Sequence, residues 1–196
     1  MLLVVWPSRR LSLKPVRTLL FGTIATRKPL TELLRSRRHM ESNVRNDSLK
    51  TLLMFANDKQ LLGRAYQVNV NTLETVQEAV DTIVKEFNGR LDIFVANSGI
   101  AWEFGPMLDA EPVVDLYKKV MTPNIDGTFW CARAAGVHFR RQKREGTTID
   151  GQKLENFTLG SFIATASMSG HIANVPQLQA AYNASKAAVI HLCRAS

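Results

Sequence analysis

The sequence predicts an α/β fold with a doubly wound parallel β-sheet. Three short apolar segments, at 65–70, 91–96 and 160–165, have the length and composition of buried strands. Segments with helical periodicity separate them, and such alternation is typical of parallel sheets that carry helices. In sheets of this kind, ligands bind beyond the carboxyl ends of the strands. Polar residues that follow each strand are therefore the first candidates for a functional site.

The helices between these strands are marked by start and stop signals. Asn71 can cap the first helix, with Glu74 at the capping-box position. The apolar residues between 76 and 87 form one helix face, and the glycine turn at 88–89 is expected to end the helix. A second helix is expected around 109–121.

Length and composition limit the possible classes of protein. The 196 residues, 45% of them apolar, suffice for one domain with a sizeable core. No apolar run approaches the roughly 20 residues that span a membrane, so no membrane partner is expected. The two cysteines, Cys131 and Cys193, have neither metal-ligand spacing nor a disulfide pattern. No metal site is expected, and the cysteines are compatible with a reducing compartment.

Positive charge is concentrated in two parts of the chain. Residues 1–45 hold ten Lys or Arg against two acids, which accounts for the entire net charge of +8. A third helix is expected to begin at Pro123. A second basic run, Arg140-Arg-Gln-Lys-Arg144, falls at the end of this helix. Cations at that position suit the helix dipole. Since the rest of the chain is neutral, no nucleic-acid partner is expected.

Residues 1–60 are expected to lie outside the folded domain, which would cover 61–196. The segments 2–6 and 19–23 could form short strands, but no helical pattern follows either of them. Frequent Ser, Thr and Arg with few acids fit an organelle transit peptide, a solvated basic tail, or sequence foreign to the domain. The last interpretation is preferred, and the cytoplasm is the expected location, with mitochondrial targeting as the alternative.

Tyr182-Asn-Ala-Ser-Lys186 is the segment best suited to chemistry. In a helix, the phenol and the ammonium lie four residues apart on one face. A free phenol titrates near pH ~10, and a nearby cation favours its ionised form. The serine-rich turn Ser167-Met-Ser169, just upstream, can hold a substrate oxygen by hydrogen bonding. Together these groups can exchange a proton with a carbonyl or alcohol oxygen, although Y-x-x-x-K alone also occurs in ordinary helices.

Four motifs in sequence order resemble the short-chain dehydrogenase/reductase family. They are Leu91-Asp-Ile-Phe-Val-Ala-Asn-Ser-Gly99, Asn124-Ile-Asp-Gly127, Ser167-Met-Ser-Gly170 and Tyr182-Asn-Ala-Ser-Lys186. The resemblance runs from about residue 61 to the last residue, and is closest to a fungal branch that acts on polyols and ketoses. It implies a Rossmann-like sheet. It also implies an oxidoreductase that interconverts a polyol or secondary alcohol and a ketose or ketone.

The resemblance implies a role for each catalytic residue. Tyr182 would be the general acid–base. Lys186 would favour the phenolate form of Tyr182 and would hydrogen-bond the nicotinamide ribose. Both residues would also bind the cofactor. Asn124 would hold a water in a proton relay. A serine would polarise the carbonyl. The usual family spacing selects Ser169, 13 residues before the tyrosine, whereas the strand end and the polyol branch select Ser167, 15 before it; Ser167 is preferred.

The implied cofactor is NADP(H), with NAD(H) left open. Asn97, Ser98 and Gly99 follow the second strand and are expected near the cofactor, where Gly99 would let the backbone turn closely. Asn69 replaces the aspartate that the family usually carries near the adenine. The expected partner is a small polyol or ketose, and full-length relatives are expected to be homo-oligomers.

One part of the family pattern is missing. The glycine-rich turn that binds the cofactor pyrophosphate has no counterpart, since Gly22 and Gly63 are the only glycines before Gly89. Because the sequence also stops at Ser196 in the helix that bears the tyrosine, the domain is expected to be incomplete at both ends. The alternative to an active enzyme is therefore a catalytically inactive fragment without a phosphate-binding loop.

Overall fold

The computed structural model describes residues 2–7, 17–22 and 64–195, with side chains from residue 66 onward. The strands are β1 (Leu2–Pro7), β2 (Arg17–Gly22), β3 (Arg64–Gln67), β4 (Ile93–Ala96) and β5 (Ser161–Ala164). The helices are α1 (Leu73–Glu86), α2 (Val113–Met121), α3 (Gly127–Glu145) and α4 (Ala180–Ala195).

The strands form one sheet in the order β3-β1-β2-β4-β5. β2, β4 and β5 are parallel neighbours, which confirms the predicted α/β fold with a parallel sheet. β1 runs antiparallel to both β2 and β3, an orientation that the sequence did not predict. Only the nine residues 8–16 separate β1 from β2, and a parallel pair needs a crossover of about a dozen residues or more. β3 consequently runs in the same direction as β2.

The three predicted strands all form, but each is four residues long. β3 ends at Gln67, and Val68 leaves the ladder yet stays buried at 5% exposure. Such burial explains why the apolar pattern extends beyond the strand. β1 and β2 coincide with the possible strands at 2–6 and 19–23. The remainder of the segment 1–60, with the predicted domain boundary after it, lies outside the described residues.

α1 begins later than its predicted capping motif. Thr72, extended with φ −127° and ψ 142°, occupies the cap position, and its hydroxyl pairs with that of Thr75 at 2.7 Å. The capping box of Asn71 and Glu74 was therefore wrong. The N–H of Asn71 donates instead to the side chain of Asn69 at 3.1 Å. Glu74 stays in the first turn, where its negative charge suits the helix dipole.

Pro123 was predicted to begin a new helix, and this prediction was wrong. α2 continues through a π-helical turn at Thr122–Asp126 into α3. A local π-helical turn of this kind can accommodate a proline, which lacks the N–H of a regular helix. α3 ends at Glu145, and Gly146 follows it with a left-handed φ of 68°. The basic run at 140–144 does lie at this helix end, as its charge predicted.

The main core lies between the sheet and the helices α1 and α3. Nine of its apolar side chains are at most 2% exposed: Val76, Val80, Ile83, Val84, Leu91, Phe94, Cys131, Ala134 and Ala135. Gln142 of α3 is also fully buried; its amide accepts from the N–H of Leu91 at 2.5 Å and donates to the carbonyl of Leu91 at 2.7 Å. Across the described ranges, no helix is both long and apolar enough to cross a membrane.

Candidate active site

Polar residues lie beyond the carboxyl ends of β4 and β5. The backbone N–H of Thr165 donates to the carbonyl of Ala96 at 2.9 Å, which continues the β4–β5 ladder past the strands themselves. The hydroxyl of Thr165 donates to Oδ1 of Asn97 at 2.5 Å. Asn97 thus ties the two strand ends together, at the sheet edge where ligands are expected to bind.

Tyr182 and Lys186 lie one helical turn apart on α4. Nζ of Lys186 is 5.7 Å from the centroid of the Tyr182 ring and donates to the backbone carbonyl of Thr165 at 2.7 Å. Lys186 is only 5% exposed, and this burial lowers its pKa below the ordinary value of 10.5. The structure therefore places an amine beside a phenol, a pairing that can assist proton transfer.

Asn124 joins α4 to the turn after β4. The residue is completely buried; its Oδ1 accepts from the N–H of Ile100 at 2.8 Å, and its Nδ2 donates to the carbonyl of Ile100 at 3.0 Å. Nδ2 also donates to Oγ of Ser185 at 3.0 Å. The hydroxyl of Ser185 in turn donates to the carbonyl of Tyr182 at 2.7 Å. Through these bonds Asn124 fixes the helix of the Tyr–Lys pair relative to the sheet.

The two candidate serines have different surroundings. Ser169 is 6% exposed, and its Oγ accepts from the side-chain amides of Asn174 at 2.8 Å and Gln179 at 3.2 Å. Ser167 is less buried, and caps the 3₁₀ turn at 168–170 by accepting from the N–H of Ser169 at 3.2 Å. Greater exposure and the position after β5 favour Ser167 as the serine that meets a substrate.

A cavity of about 320 Å³ opens beyond β3 and β4, and Asn69, Ser98 and Gly99 are among its lining residues. Gly99 also lies against the Tyr–Lys site. A Cβ built on it would come within 3.1 Å of Oδ1 of Asn124 and 3.3 Å of Nζ of Lys186. Gly99 therefore lies between the cavity and Lys186, and a side chain at this position would crowd the lysine.

The structure brings most of the predicted residues to one edge of the sheet. The side chains of Asn124 and Lys186 both lie against the backbone of Gly99. The turn that follows Ser167 packs on the backbone of α4 at Lys186. Asn69 lines the adjoining cavity. In the part of the chain that the structure describes, no group of three His, Cys, Asp or Glu side chains is arranged to hold a metal ion.

Two further residues of the site were not predicted. Thr165 bonds both Asn97 and Lys186, but a threonine after a strand is too common to be a signal. Ser185 lies inside the Tyr–Lys motif, three residues after Tyr182, and its hydroxyl bonds the helix backbone. Its place in the motif was the only available sign of its role.

Known proteins are similar to most of the described chain. A family model described as enoyl-(acyl carrier protein) reductase matches residues 43–196. L-xylulose reductase from Hypocrea jecorina is 64% identical over 131 residues, which cover 67% of this chain and 45% of that protein. A probable NADP-dependent mannitol dehydrogenase from Yarrowia lipolytica is 44% identical over 131 residues, 67% of this chain and 41% of that protein.

Solved structures agree with the sequence comparisons. A short-chain type dehydrogenase/reductase from Mycobacterium marinum has a TM-score of 0.54 and 33% identity, over 66% of this chain and 44% of that one. The chain spans about half the length of the curated relatives it matches. The family match begins at residue 43, whereas the sequence pattern predicts a domain start at residue 61.

Proposed function

Because the chain belongs to the short-chain dehydrogenase/reductase family, we propose that it is an NADP(H)-dependent oxidoreductase that interconverts a ketose and a polyol. The relatives named L-xylulose reductase and probable NADP-dependent mannitol dehydrogenase support this substrate class and cofactor. The observation that carries the proposal is the buried Lys186, bonded to Thr165 beside Tyr182. Burial of a lysine costs stability, and such groups are concentrated at functional sites.

Tyr182 is the proposed proton donor to the carbonyl oxygen of the ketose. Negative charge develops on that oxygen during reduction, and a phenol within hydrogen-bond reach can neutralise it. The neighbouring ammonium of Lys186 then stabilises the phenolate that remains. Ser167 donates a second hydrogen bond to the same oxygen, which stabilises the charge as it forms. In the oxidative direction, the phenolate of Tyr182 accepts the proton of the alcohol.

Asn124 has two proposed tasks. Its side-chain amide bonds Ile100 and Ser185, so it keeps α4 in place relative to the sheet. We further assign to Asn124 a bound water that connects Lys186 with the solvent. Through this water the site would recover the proton that Tyr182 donates.

The proposed cofactor, NADP(H), supplies the hydride when bound. The residues present fit its nicotinamide and adenosine parts. Gly99 lets the backbone approach Nζ of Lys186 closely, since a Cβ there would lie 3.3 Å from it, and this amine can donate to ribose hydroxyls. Ser98 and Asn69 line the adjoining cavity of about 320 Å³, and Asn97 braces the strand end beside it. The glycine-poor segment where the family pattern would bind the pyrophosphate lies largely outside the described residues.

The experiment is reduction of L-xylulose and of fructose by the full chain, followed by the loss of NADPH absorbance. Tyr182→Phe should lower kcat by about 10²–10⁴-fold, the contribution typical of general acid catalysis, and should change the Kd for NADPH far less than it changes kcat. Tyr117→Phe is the matched control, because Tyr117 is 47% exposed and belongs to α2. Titrations with NADPH and NADH, followed by cofactor fluorescence, compare the two cofactors.

Each result decides between the alternatives. Ketose reduction that survives Tyr182→Phe would overturn the proposed proton donor. Binding of NADPH without turnover of any ketose would overturn the substrate class. A chain that binds neither cofactor would support the alternative of a catalytically inactive protein.

A further inference from the structure

Ser169 is the hydrogen-bond centre of the segment that links Ser167 to Tyr182. Its hydroxyl oxygen accepts from Asn174 at 2.8 Å and from Gln179 at 3.2 Å. Its backbone N–H donates to Oγ of Ser167 at 3.2 Å. One small residue, 6% exposed, thus contacts the start, the middle and the end of the connection between two proposed catalytic groups.

Little else in this connection is packed. Its apolar side chains face the solvent, with Ile172 50%, Val175 85% and Leu178 56% exposed. Hydrophobic burial therefore contributes little to the conformation of the segment, and the hydrogen bonds to Oγ of Ser169 contribute to it. Gln179 is the exception at 6% exposure, and its backbone carbonyl accepts from the N–H of Asn183 at 3.0 Å in the first turn of α4.

The turn that carries Ser169 also rests directly on α4. A Cβ built on Gly170 would lie 2.8 Å from the carbonyl carbon of Lys186 and 2.9 Å from the backbone nitrogen of Ala187. This contact fixes one end of the connection against the helix, and the bond from Gln179 fixes the other end to Ser169. The hydroxyl of Ser169 therefore links the middle and the end of the connection to the turn that holds Ser167.

We propose that Ser169 is a positioning residue, which fixes Ser167 relative to Tyr182 through Asn174 and Gln179 and does not itself touch the substrate. This proposal rests on the proposed function, because it assumes that Ser167 and Tyr182 meet one carbonyl oxygen. It explains why two serines occur in the turn. Ser167 would polarise the carbonyl, and Ser169 would hold the segment that aligns it.

The first test measures the segment itself and needs no turnover. Ser169→Ala removes the shared acceptor, so hydrogen exchange at the hydrogen-bonded backbone amides within 171–179, those of His171 and Ile172, should accelerate by about tenfold or more. Exchange in α1 should stay unchanged. Ser161→Ala is the matched control, because Ser161 is an exposed serine at the start of β5. Unchanged exchange in 171–179 would overturn the proposal, whether or not the chain reduces a ketose.

The second test uses catalysis to separate positioning from general destabilisation. Ser169→Ala should lower kcat for ketose reduction by about tenfold, because misplacement of reacting groups slows the chemical step, while the Kd for NADPH stays unchanged. Gln179→Met keeps the side-chain length and removes the amide donor. Because both changes break the same bond, the double variant should lose less activity than the product of the single losses.

The catalytic results are also decisive. Full additivity of Ser169→Ala and Gln179→Met would overturn the coupling between the two residues. A loss as large as that of Ser167→Ala, with unchanged exchange in 171–179, would instead make Ser169 the serine that contacts the substrate. If the wild-type chain shows no turnover, the proposed function fails, while the exchange measurement still decides the role of Ser169.

Discussion

The amine of Lys186 donates a 2.7 Å hydrogen bond to the backbone carbonyl of Thr165. Thr165 also bonds Ala96 through its N–H and Asn97 through its hydroxyl. One residue after β5 therefore connects β4, β5 and the helix of the Tyr–Lys pair. Since a backbone carbonyl directs Lys186, the position of its Nζ depends on the sheet geometry as much as on α4.

Lys186→Met should abolish activity without lowering stability. Burial lowers the pKa of Lys186 below 10.5, so the charged form is disfavoured in the folded protein, and methionine fills a similar volume without that cost. The free energy of unfolding near pH ~7 should equal or exceed that of the wild type. Urea unfolding of both proteins, with parallel assays of ketose reduction, measures this separation of stability and activity.

The pH dependence of the same two proteins gives an independent check. Between the lowered pKa of Lys186 in the folded state and the value of 10.5, the unfolded chain binds more protons. The free energy of unfolding of the wild type should therefore rise with pH in this window. Lys186→Met should lack this rise. A variant that is less stable than the wild type at neutral pH would contradict the assigned cost of burial.

Thr165→Val should weaken the site through the lost bond to Asn97. Valine keeps the shape of threonine but cannot donate to Oδ1 of Asn97, which the hydroxyl now does at 2.5 Å. Because both residues are exposed, we expect a stability loss of about 1 kcal/mol or less and a severalfold loss of kcat. Thr165→Ser keeps the hydroxyl and should restore most of the activity. Equal activity of the serine and valine variants would show that the hydroxyl has no positioning effect.

Gly99→Ala should impair the site by steric contact. The new Cβ would approach Oδ1 of Asn124 to 3.1 Å and Nζ of Lys186 to 3.3 Å, and both atoms are already hydrogen-bonded. A shift of a few tenths of an ångström at these groups should lower kcat by about tenfold, since alignment errors near 1 Å can cost about 10²-fold. Steady-state kinetics with NADPH as the varied substrate measure the loss.

Gly136→Ala is the matched control for that substitution. Gly136 lies in the middle of α3, and a Cβ there would meet nothing within 4 Å. Alanine should raise the free energy of unfolding by about 0.5–1 kcal/mol through helix propensity, with unchanged kcat. If Gly99→Ala also leaves kcat unchanged, the close approach at Gly99 does not matter for the reaction.

Periodic burial made much of the fold predictable. The apolar face of α1 is buried at Val76, Val80, Ile83 and Val84, because its spacing matches the 3.6-residue helical period. The Tyr182–Lys186 spacing likewise places both residues on one helix face. These features depend on neighbours in sequence, so the sequence alone could predict them.

Contacts between distant segments were not predictable in the same way. Neither the bond between Lys186 and Thr165 nor the pairing of Asn124 with Ile100 has a local signal, since each forms only when separate elements pack together. Several neighbouring polar residues could have capped α1. Thr72 occupies the N-cap position, although Asn71 was expected there. The antiparallel direction of β1 followed from the length of a connection rather than from any residue pattern.

The two cysteines should differ sharply in reactivity. Cys131 is 2% exposed, and burial raises its pKa to about 12, whereas Cys193 is exposed. Because the thiolate is the reactive form, iodoacetamide near pH ~8 should modify Cys193 alone in the folded chain and both cysteines in urea. Cys193→Ser should then show no rapid modification until the chain unfolds, which intact-mass spectrometry measures directly. Native-state modification of Cys131 at a rate similar to that of Cys193 would contradict the burial of this thiol between α3 and the sheet.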